Sequence, residues 1–551
     1  MTKLQRLKNY KNREPMETVA YIKNILDEVG IKVDEQFYHE DVSNVDSCRI
    51  KITNKGFERN DIGTNGKGMN KEYCLASAYG EFMERLQNDC LLKGVFVNTR
   101  SFEFFDKEKA TPYIKQYAKE VFGENEKVSS YFINLEDEIR MERYSDVFNN
   151  KETFLPYRFR RFLCASTGMA SGNTYNEAIL QALSEVFERY AMREIFENKI
   201  VLPEIPLEYF EGSAVLDKLN QLRKKGYDFR IVDASLNKGL PVIGLVLNHN
   251  GKIRSKFGAD PSPITSLERC LTEIMQGYTN IDDIPMYEVG KAEKELKDYS
   301  NGERYFWVFQ YRVESMVTKG MYPKEVFDTS LKPSYEFKGF THKETLSDED
   351  DLKYYYDILK ANGKKLYIDK KGFMGFPAVD VVVPGMSEAV FIDDGGEMFL
   401  DYFKTMENIG LMKRIPALDK KQMRTLADSL VNWFSKYDDH RTTENMPMGI
   451  QNNYDKNRTI SLLYACLGDK EKAYFYLDKY LNTPIGQFVS EKIYKEIIER
   501  GSLEECFPLN EWPICPNCDE CKLKDKCQVK ETEALKDKII NTYKDKNNFD
   551  K

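Results

Sequence analysis

Residues 17–30 (ETVAYIKNILDEVG) set Val19, Ile22, Ile25 and Leu26 on one face at helical spacing and stop at Gly30, so the pattern predicts an amphipathic helix. The stretches 31–38 (IKVDEQFY) and 47–54 (SCRIKITN) alternate apolar and polar residues, the period of a strand. Further on, 213–226 reads as a helix, while 229–235 (FRIVDAS) and 241–248 (PVIGLVLN) read as strands. The second of these is nearly continuous in apolar residues, as in a sheet covered on both faces. The stretches 364–370 (KKLYIDK) and 378–388 (AVDVVVPGMSE) look like a further strand pair. Between these elements, 91–160 is aromatic-rich and irregular and is expected to be an insertion or a substrate-facing region, and 290–365, highly charged with little periodicity, is expected to be an insertion. The prolines of 202–210 (LPEIPLEYF) mark a linker or turn. From about residue 420 the pattern is helical alone, and Ala465, Gly468 and Ala473 have the spacing of a tetratricopeptide-like helix–turn–helix. The expectation is an α+β body over 1–415, an all-α region over 420–505, and a cysteine-rich, charged tail over 506–551.

One pattern recurs. Residues 66–85 (GKGMNKEYCLASAYGEFMER) and 168–189 (GMASGNTYNEAILQALSEVFER) each open on small and polar residues and become a helix ending E-x-x-E-R. Aligning Glu81 with Glu185 places Glu84 on Glu188, Arg85 on Arg189, Ala78 on Ala182 and Gly68 on Gly172. A weaker third copy, 266–277 (SLERCLTEIMQG), puts Glu273 and Gln276 at the paired positions with Arg269 one turn upstream. Residues three apart share a helical face, so each acidic pair could hold one divalent cation. Carboxylates without histidine suit a hard ion such as Mg2+, which usually arrives with phosphates. A di-iron bundle would instead want E-x-x-H pairs. The arginines can clamp phosphate oxygens, and Gly172 and Asn173 are residue types that let backbone approach them. No GxxxxGK[ST] loop occurs, so the pattern points to a divalent metal with a polyphosphate outside the P-loop class.

Composition narrows the class. A chain of 551 residues, 41% hydrophobic, is long enough for two or more domains. Its net charge of −8 offers no basic footprint for nucleic acid. No apolar run approaches the ~20 residues that span a membrane, and the basic start MTKLQRLKNYKNREP lacks a signal peptide's apolar core. A soluble cytoplasmic protein is expected, with neither nucleic-acid nor membrane partners. The basic patch Arg158, Arg160 and Arg161 reads as a solvated loop, with contact to phosphates or an acidic peptide as the second reading. Neither His249 nor His342 lies in a catalytic motif, so no general base can be named and the catalytic residues stay unknown.

Near the end, Cys515, Cys518, Cys521 and Cys527 form C-x2-C-x2-C-x5-C, four of the chain's eleven cysteines. In a cytoplasmic protein these are not expected as disulfides. Four thiolates suit tetrahedral Zn2+ or a [4Fe–4S] cluster. The CPxC start and CxLxxxC ending look more like a cluster-binding tail than a zinc ribbon, and an unmetallated reduced tail is the bland alternative.

These motifs, in this order, resemble the YcaO family, and most closely its stand-alone enterobacterial-type members. The resemblance runs through NGKGMNKEYCLASAYGEFMERL, GMASGNTYNEAILQALSEVFERY, FGAD with LERCLTEIMQG, and VPGMSE at 383–388, over roughly residues 15–490. It implies a duplicated sheet-and-helix ATP-binding domain, with Mg2+ ligands among Glu81, Glu84, Glu185 and Glu188. ATP contacts are implied at Ser77, Asn173, Glu177, Arg189, Arg269 and Glu273, and near the N-terminus at Lys11 and Thr18, where threonine replaces the more usual serine. Pro384–Gly385 is either a family landmark or simply a tight turn. The implied chemistry is phosphorylation of a backbone amide oxygen, leading to a thioamide or an azoline. Stand-alone relatives are instead associated with β-methylthiolation of a ribosomal protein beside a radical-SAM methylthiotransferase, which leaves a non-catalytic ATP-binding accessory role open. Azoline-forming members end in a proline-rich tail; this sequence ends NTYKDKNNFDK, which counts against azoline formation. No peptide-binding winged helix is visible near the N-terminus, so a protein or peptide substrate would be delivered by a partner. A sulfur-delivery protein is a further candidate partner, and a homodimer is expected. The four-cysteine motif is not shared with the enterobacterial relatives, so its role does not carry over from them.

Overall fold

The computed structural model describes residues 11–54, 57, 62–92, 102–123, 126–134, 138–300, 312–342, 345, 347–388, 408, 411–412, 415, 418–436, 456–483, 486, 490–507 and 528–543. The chain divides into two compact units: one takes residues 1–298, 309–393 and 533–551, the other 299–308 and 394–532.

The first unit is a mixed α+β body built on three antiparallel sheets. Its opening helix α1 (Pro15–Glu28) buries Val19, Ile22, Ile25 and Leu26, the face the sequence pattern marks. Strands β1 (Val33–Glu40), β2 (Val45–Ile52) and β3 (Gly63–Gly68) follow as an antiparallel sheet, in register Phe37 to Cys48 and Cys48 to Gly66. Helix α2 (Lys71–Gln87) packs on it through Cys74, Ala78, Phe82 and Met83. The helix Gln528–Tyr543 joins this same core through Leu535, Ile539 and Tyr543, and Tyr543 donates to Glu28 at 2.9 Å.

The stretch 91–160, expected to be an irregular insertion, supplies regular structure wherever it is described. It carries β4 (Phe102–Asp106), α3 (Lys107–Phe122), α4 (Glu126–Asn134), β5 (Glu138–Asp146), β6 (Lys151–Pro156) and α5 (Tyr157–Cys164). With β7 (Met169–Ser171) these strands enter a six-stranded sheet. Helix α6 (Tyr175–Asn198) lies beyond β7 and is buried around most of its girth, as expected of a central helix. After α7 (Ala214–Lys224), strands β8 (Asp228–Asp233), β9 (Val242–His249) and β10 (Lys252–Ala259) form the third antiparallel sheet, covered by α8 (Pro263–Met275) and edged by β11 (Tyr287–Glu288). Helix α9 (Lys291–Ser300) and the helix Asp348–Ala361 follow. Strands β12 (Tyr367–Lys370) and β13 (Ala378–Val382) then return as the expected antiparallel pair, in the order β4-β5-β12-β13-β7 with β6 on β5. The turn at Pro384–Gly385 is held from α6, where Arg193 donates to the carbonyls of Gly385 and Glu388 at 3.0 and 2.7 Å.

The reason 91–160 escapes pattern reading lies in its buried charges. On β5 the buried run includes Arg140 and Glu142, and on α5 Arg160 is 1% exposed. Arg160 sits 2.8 Å from Glu142 and 2.9 Å from Asp380 of β13, while Lys371 reaches Glu142 at 3.1 Å. Burial alone would raise the Glu142 carboxyl, but Lys371, Arg160 and Arg140 overcome it and hold the group at about 2. Arg160 is therefore the centre of a buried ion network, not a member of a solvated basic loop; a charged residue buried in this way needs its partners beside it.

The second unit is helical among its described residues: Lys420–Lys436, Lys456–Cys466, Lys470–Leu481, Glu491–Arg500 and Leu503–Cys506. Ala465 and Ala473 pack in its core on either side of the turn at Gly468, the expected helix–turn–helix.

Candidate nucleotide and metal site

The three acidic helices start in the same way. Each follows a strand and carries a polar N-cap: Asn70 accepts from the Tyr73 amide, Thr174 from Glu177, and Ser262 from Thr265. A glycine just ahead of each packs against the helix that follows. A Cβ on Gly68 would lie 2.4 Å from the Cys74 nitrogen, on Gly172 2.8 Å from the Ala178 nitrogen, and on Gly258 2.4 Å from the Ser266 oxygen. The small-residue entries thus bring strand and helix backbones into direct contact. Gly172 makes that contact while also lining the space at which the contacts aim the same faces of α2, α6 and α8.

That space is a cavity of about 420 Å3. Lys11, Thr18, Ser77, Glu81, Glu84, Asn173, Glu177, Glu185, Glu188, Arg189, Arg269 and Glu273 all line it, so every motif-derived nucleotide or Mg2+ position in the described residues borders one chamber. Thr18 donates to Asn173 at 2.8 Å. Lys11 lies 3.2 Å from Glu177, whose other oxygen accepts from the Asn12 backbone at 3.2 Å. Burial would raise Glu177, yet Lys11 and the hydrogen bonds from Asn12 and Asn173 outweigh it and lower its pKa. Arg85 pairs with Glu81 and Glu84 on its own helix, and Arg189 with Glu185.

The carboxylates fall into two groups. Burial pushes Glu81, Glu84 and Glu185 up, and Glu188 to about 7, with nearby arginines only partly opposing it. Glu273 goes the other way: although burial raises it, Lys67 and Lys256 hold it at about 2. The first group holds under-compensated negative charge, which a bound cation would relieve. Among the described residues no three His, Cys, Asp or Glu side chains stand close enough to hold a metal unaided. An all-oxygen set of this kind fits Mg2+, which uses one or two carboxylates and takes its remaining ligands from water and phosphate. In the same cavity, the buried Arg269 Nε has no hydrogen-bond partner, while its Nη2 reaches Gln181 at 2.6 Å and Asp260 at 3.2 Å.

Sequence reasoning passed over several residues that line the cavity, Lys67 and Gln181, or touch its lining, Asp260 and Asn12. Lys67 forms an ion pair with Glu273, yet it stood in view between Gly66 and Gly68. Gln181 lies one turn before Glu185, and Asp260 closes the FGAD stretch. Asn12 contacts Thr174, Glu177 and Asp348 and carried no signal in the sequence. Cys515, Cys518, Cys521 and Cys527 lie outside the described residues. No described helix is long and apolar enough to cross a membrane.

With this geometry in hand, comparison with known proteins is specific. The family model described as YcaO cyclodehydratase, ATP- and Mg2+-binding, matches residues 65–387, more than half of the chain. The ribosomal protein S12 methylthiotransferase accessory factor YcaO of Escherichia coli (strain K12) is 29% identical over 405 residues, 69% of this chain and 66% of that protein. An uncharacterized protein of Haemophilus influenzae (strain ATCC 51907 / DSM 11121 / KW20 / Rd) is 26% identical over 520 residues, covering 88% of this chain and 84% of its own length. Among solved structures, a heterocyclase in complex with substrate and cofactor is similar with a TM-score of 0.50 at 18% identity, over 70% of this chain and 54% of the heterocyclase, a likeness of fold. The chain thus spans just under two thirds of the E. coli relative and about half of the heterocyclase.

Proposed function

The chain belongs to the YcaO family, and from that premise we propose that it uses ATP with Mg2+ to modify a protein or peptide by activating a backbone amide. The observation that carries this reading is the convergence of the three repeated helices on one cavity lined both by Glu81, Glu84, Glu185 and Glu188 and by the Arg189 and Arg269 guanidinium groups. In the proposed reaction the amide oxygen attacks the γ-phosphorus and ADP leaves. A nucleophile then adds to the amide carbon, and phosphate departs with the former amide oxygen. Oxygen leaves an amide poorly, and transfer to phosphorus makes its departure favourable.

One or two of Glu81, Glu84, Glu185 and Glu188 would hold Mg2+, which would supply positive charge where negative charge develops on the phosphates. Arg189 and Arg269 face the same chamber as fixed cations for phosphate oxygens. Glu177 holds Lys11 and the Asn12 amide at the cavity edge, fixing the N-terminal segment there.

A second reading is favoured by the E. coli relative, which is an accessory factor to a ribosomal-protein methylthiotransferase. In that role the chain binds ATP and serves a partner enzyme without itself modifying the substrate. Isothermal titration of ATP with Mg2+ into wild type and Glu185→Gln/Glu188→Gln tests the shared premise. Saturable binding lost in the folded double variant supports the nucleotide site; absence of binding in both overturns it. The two readings then separate on Glu188→Gln, which stops substrate-dependent phosphate release by an enzyme but leaves an accessory role unchanged.

A further inference from the structure

Beside the nucleotide cavity lies a second chamber of about 160 Å3, walled by Asp233, Asp260, Phe337, Phe340, His342 and Tyr354. Asp260 joins the two, since it lines this chamber while its carboxylate pairs with Arg269 of the nucleotide cavity at 3.2 Å. The volume admits one side chain, well below the several hundred Å3 of a site for a whole small-molecule ligand.

Its charged lining is acidic on balance, with Asp233, Asp260 and Glu336 against Lys338, whose ammonium lies 3.5 Å from Asn237 Oδ1. Asp233 is 6% exposed, and its two oxygens take only the Ser235 amide at 2.8 Å and the Ser235 hydroxyl at 3.0 Å. No cationic side chain lies within ion-pair distance of it among the described residues, and burial accordingly raises its pKa. A buried carboxylate without a counter-charge is costly. His342 binds the fully buried Asp351 through Nε2 at 2.7 Å and stacks on Tyr354 with ring centroids 4.0 Å apart. Phe337 and Phe340 add aromatic surface, which attracts cations through the ring face.

We propose that this chamber binds the cationic side chain, lysine or arginine, of the protein or peptide substrate, with Asp233 as its counter-charge. The proposal deepens the peptide-modifying reading and rests on it for the identity of the occupant. The wall shared through Asp260 and Arg269 sets the anchored side chain's chamber next to the nucleotide, so the same contact that gives specificity would register the substrate.

The test uses the full chain and defined probes: Nα-acetyl-lysine N-methylamide, the arginine counterpart, and the neutral norleucine counterpart. Each is titrated while the His342 ring resonances are followed by NMR, the chain's four histidines being assigned by His342→Gln. We expect saturable shifts of the His342 signals with at least one cationic probe and binding at least tenfold weaker for norleucine. Asp233→Asn should weaken the cationic probe at least tenfold while ATP binding, titrated in parallel, stays unchanged. Should Asp233→Asn fail to fold, the lysine–norleucine comparison in wild type still decides. Equal binding of charged and neutral probes, or no binding of any, overturns the proposal. Loss of ATP binding in wild type would instead sink the nucleotide reading, and the parallel titration keeps the two failures apart.

Discussion

The pair Lys11–Glu177 offers a quantitative check, because both residues were assigned to ATP by motif position and the structure joins them to each other. Their separation is 3.2 Å, with the Glu177 side chain 6% exposed and Lys11 29%. A hydrogen bond to a charged group contributes about 1.5–3 kcal/mol when buried, and an exposed ion pair about 0.2–1 kcal/mol. With one partner buried and the other partly wet, the expected coupling is about 1 kcal/mol. Glu177 also accepts from the Asn12 amide and from Asn173, so Glu177→Gln should cost more than Lys11→Met, about 2 kcal/mol in all. The assay is a double-mutant cycle, Lys11→Met with Glu177→Gln, read by urea unfolding of the unit that holds both and by ATP affinity. The pH dependence follows from the lowered Glu177 carboxyl. A depressed folded-state pKa gives stability that is full above the ordinary value of 4.5 and is lost as pH falls through the folded value. The gap between wild type and Glu177→Gln should therefore be flat from neutrality down to about pH 5 and close below that. Single effects that add to within about 0.3 kcal/mol, or a gap that widens in acid, would refute the clamp.

Other outcomes follow from the same structure. Arg160→Met removes the guanidinium between the buried Glu142 and Asp380 and should cost about 3–5 kcal/mol by urea unfolding. Gly172→Val drives a side chain into the α6 backbone, so ATP binding by calorimetry should fall together with thermal stability. Ile539→Ala, at a fully buried position, should cost about 2–5 kcal/mol and lower the melting temperature of the unit containing α1 and α2. From the spacing of Cys515, Cys518, Cys521 and Cys527 alone, protein purified without oxygen should carry iron or zinc by elemental assay and lose it in Cys515→Ser/Cys518→Ser; metal-free wild type would leave the reduced-tail reading.

What the sequence determined by itself was local or repeated. The 3.6-residue period of 17–30, the alternation in 31–54 and the E-x-x-E-R ending of two helices are properties of short windows, and each appears in the structure as α1, β1 with β2, and the cavity-facing ends of α2 and α6. Repetition made the site residues legible, because a carboxylate recurring at the same helical position has one reason to do so. Tertiary structure alone decided the rest, since its partners are distant in the chain. Lys67 meets Glu273 across 206 positions, Asn12 meets Glu177 across 165, and the carboxylate that completes the Arg160 network comes from β13. The segment 138–164 looks like surface in sequence because Arg140, Glu142 and Arg160 are charged, and a window cannot see the opposite charge that lets them be buried. Gly172 shows the same limit from the other side: its smallness is plain in the sequence, but the atom it must avoid, the Ala178 nitrogen 2.8 Å from a Cβ, is fixed only when strand and helix close on each other.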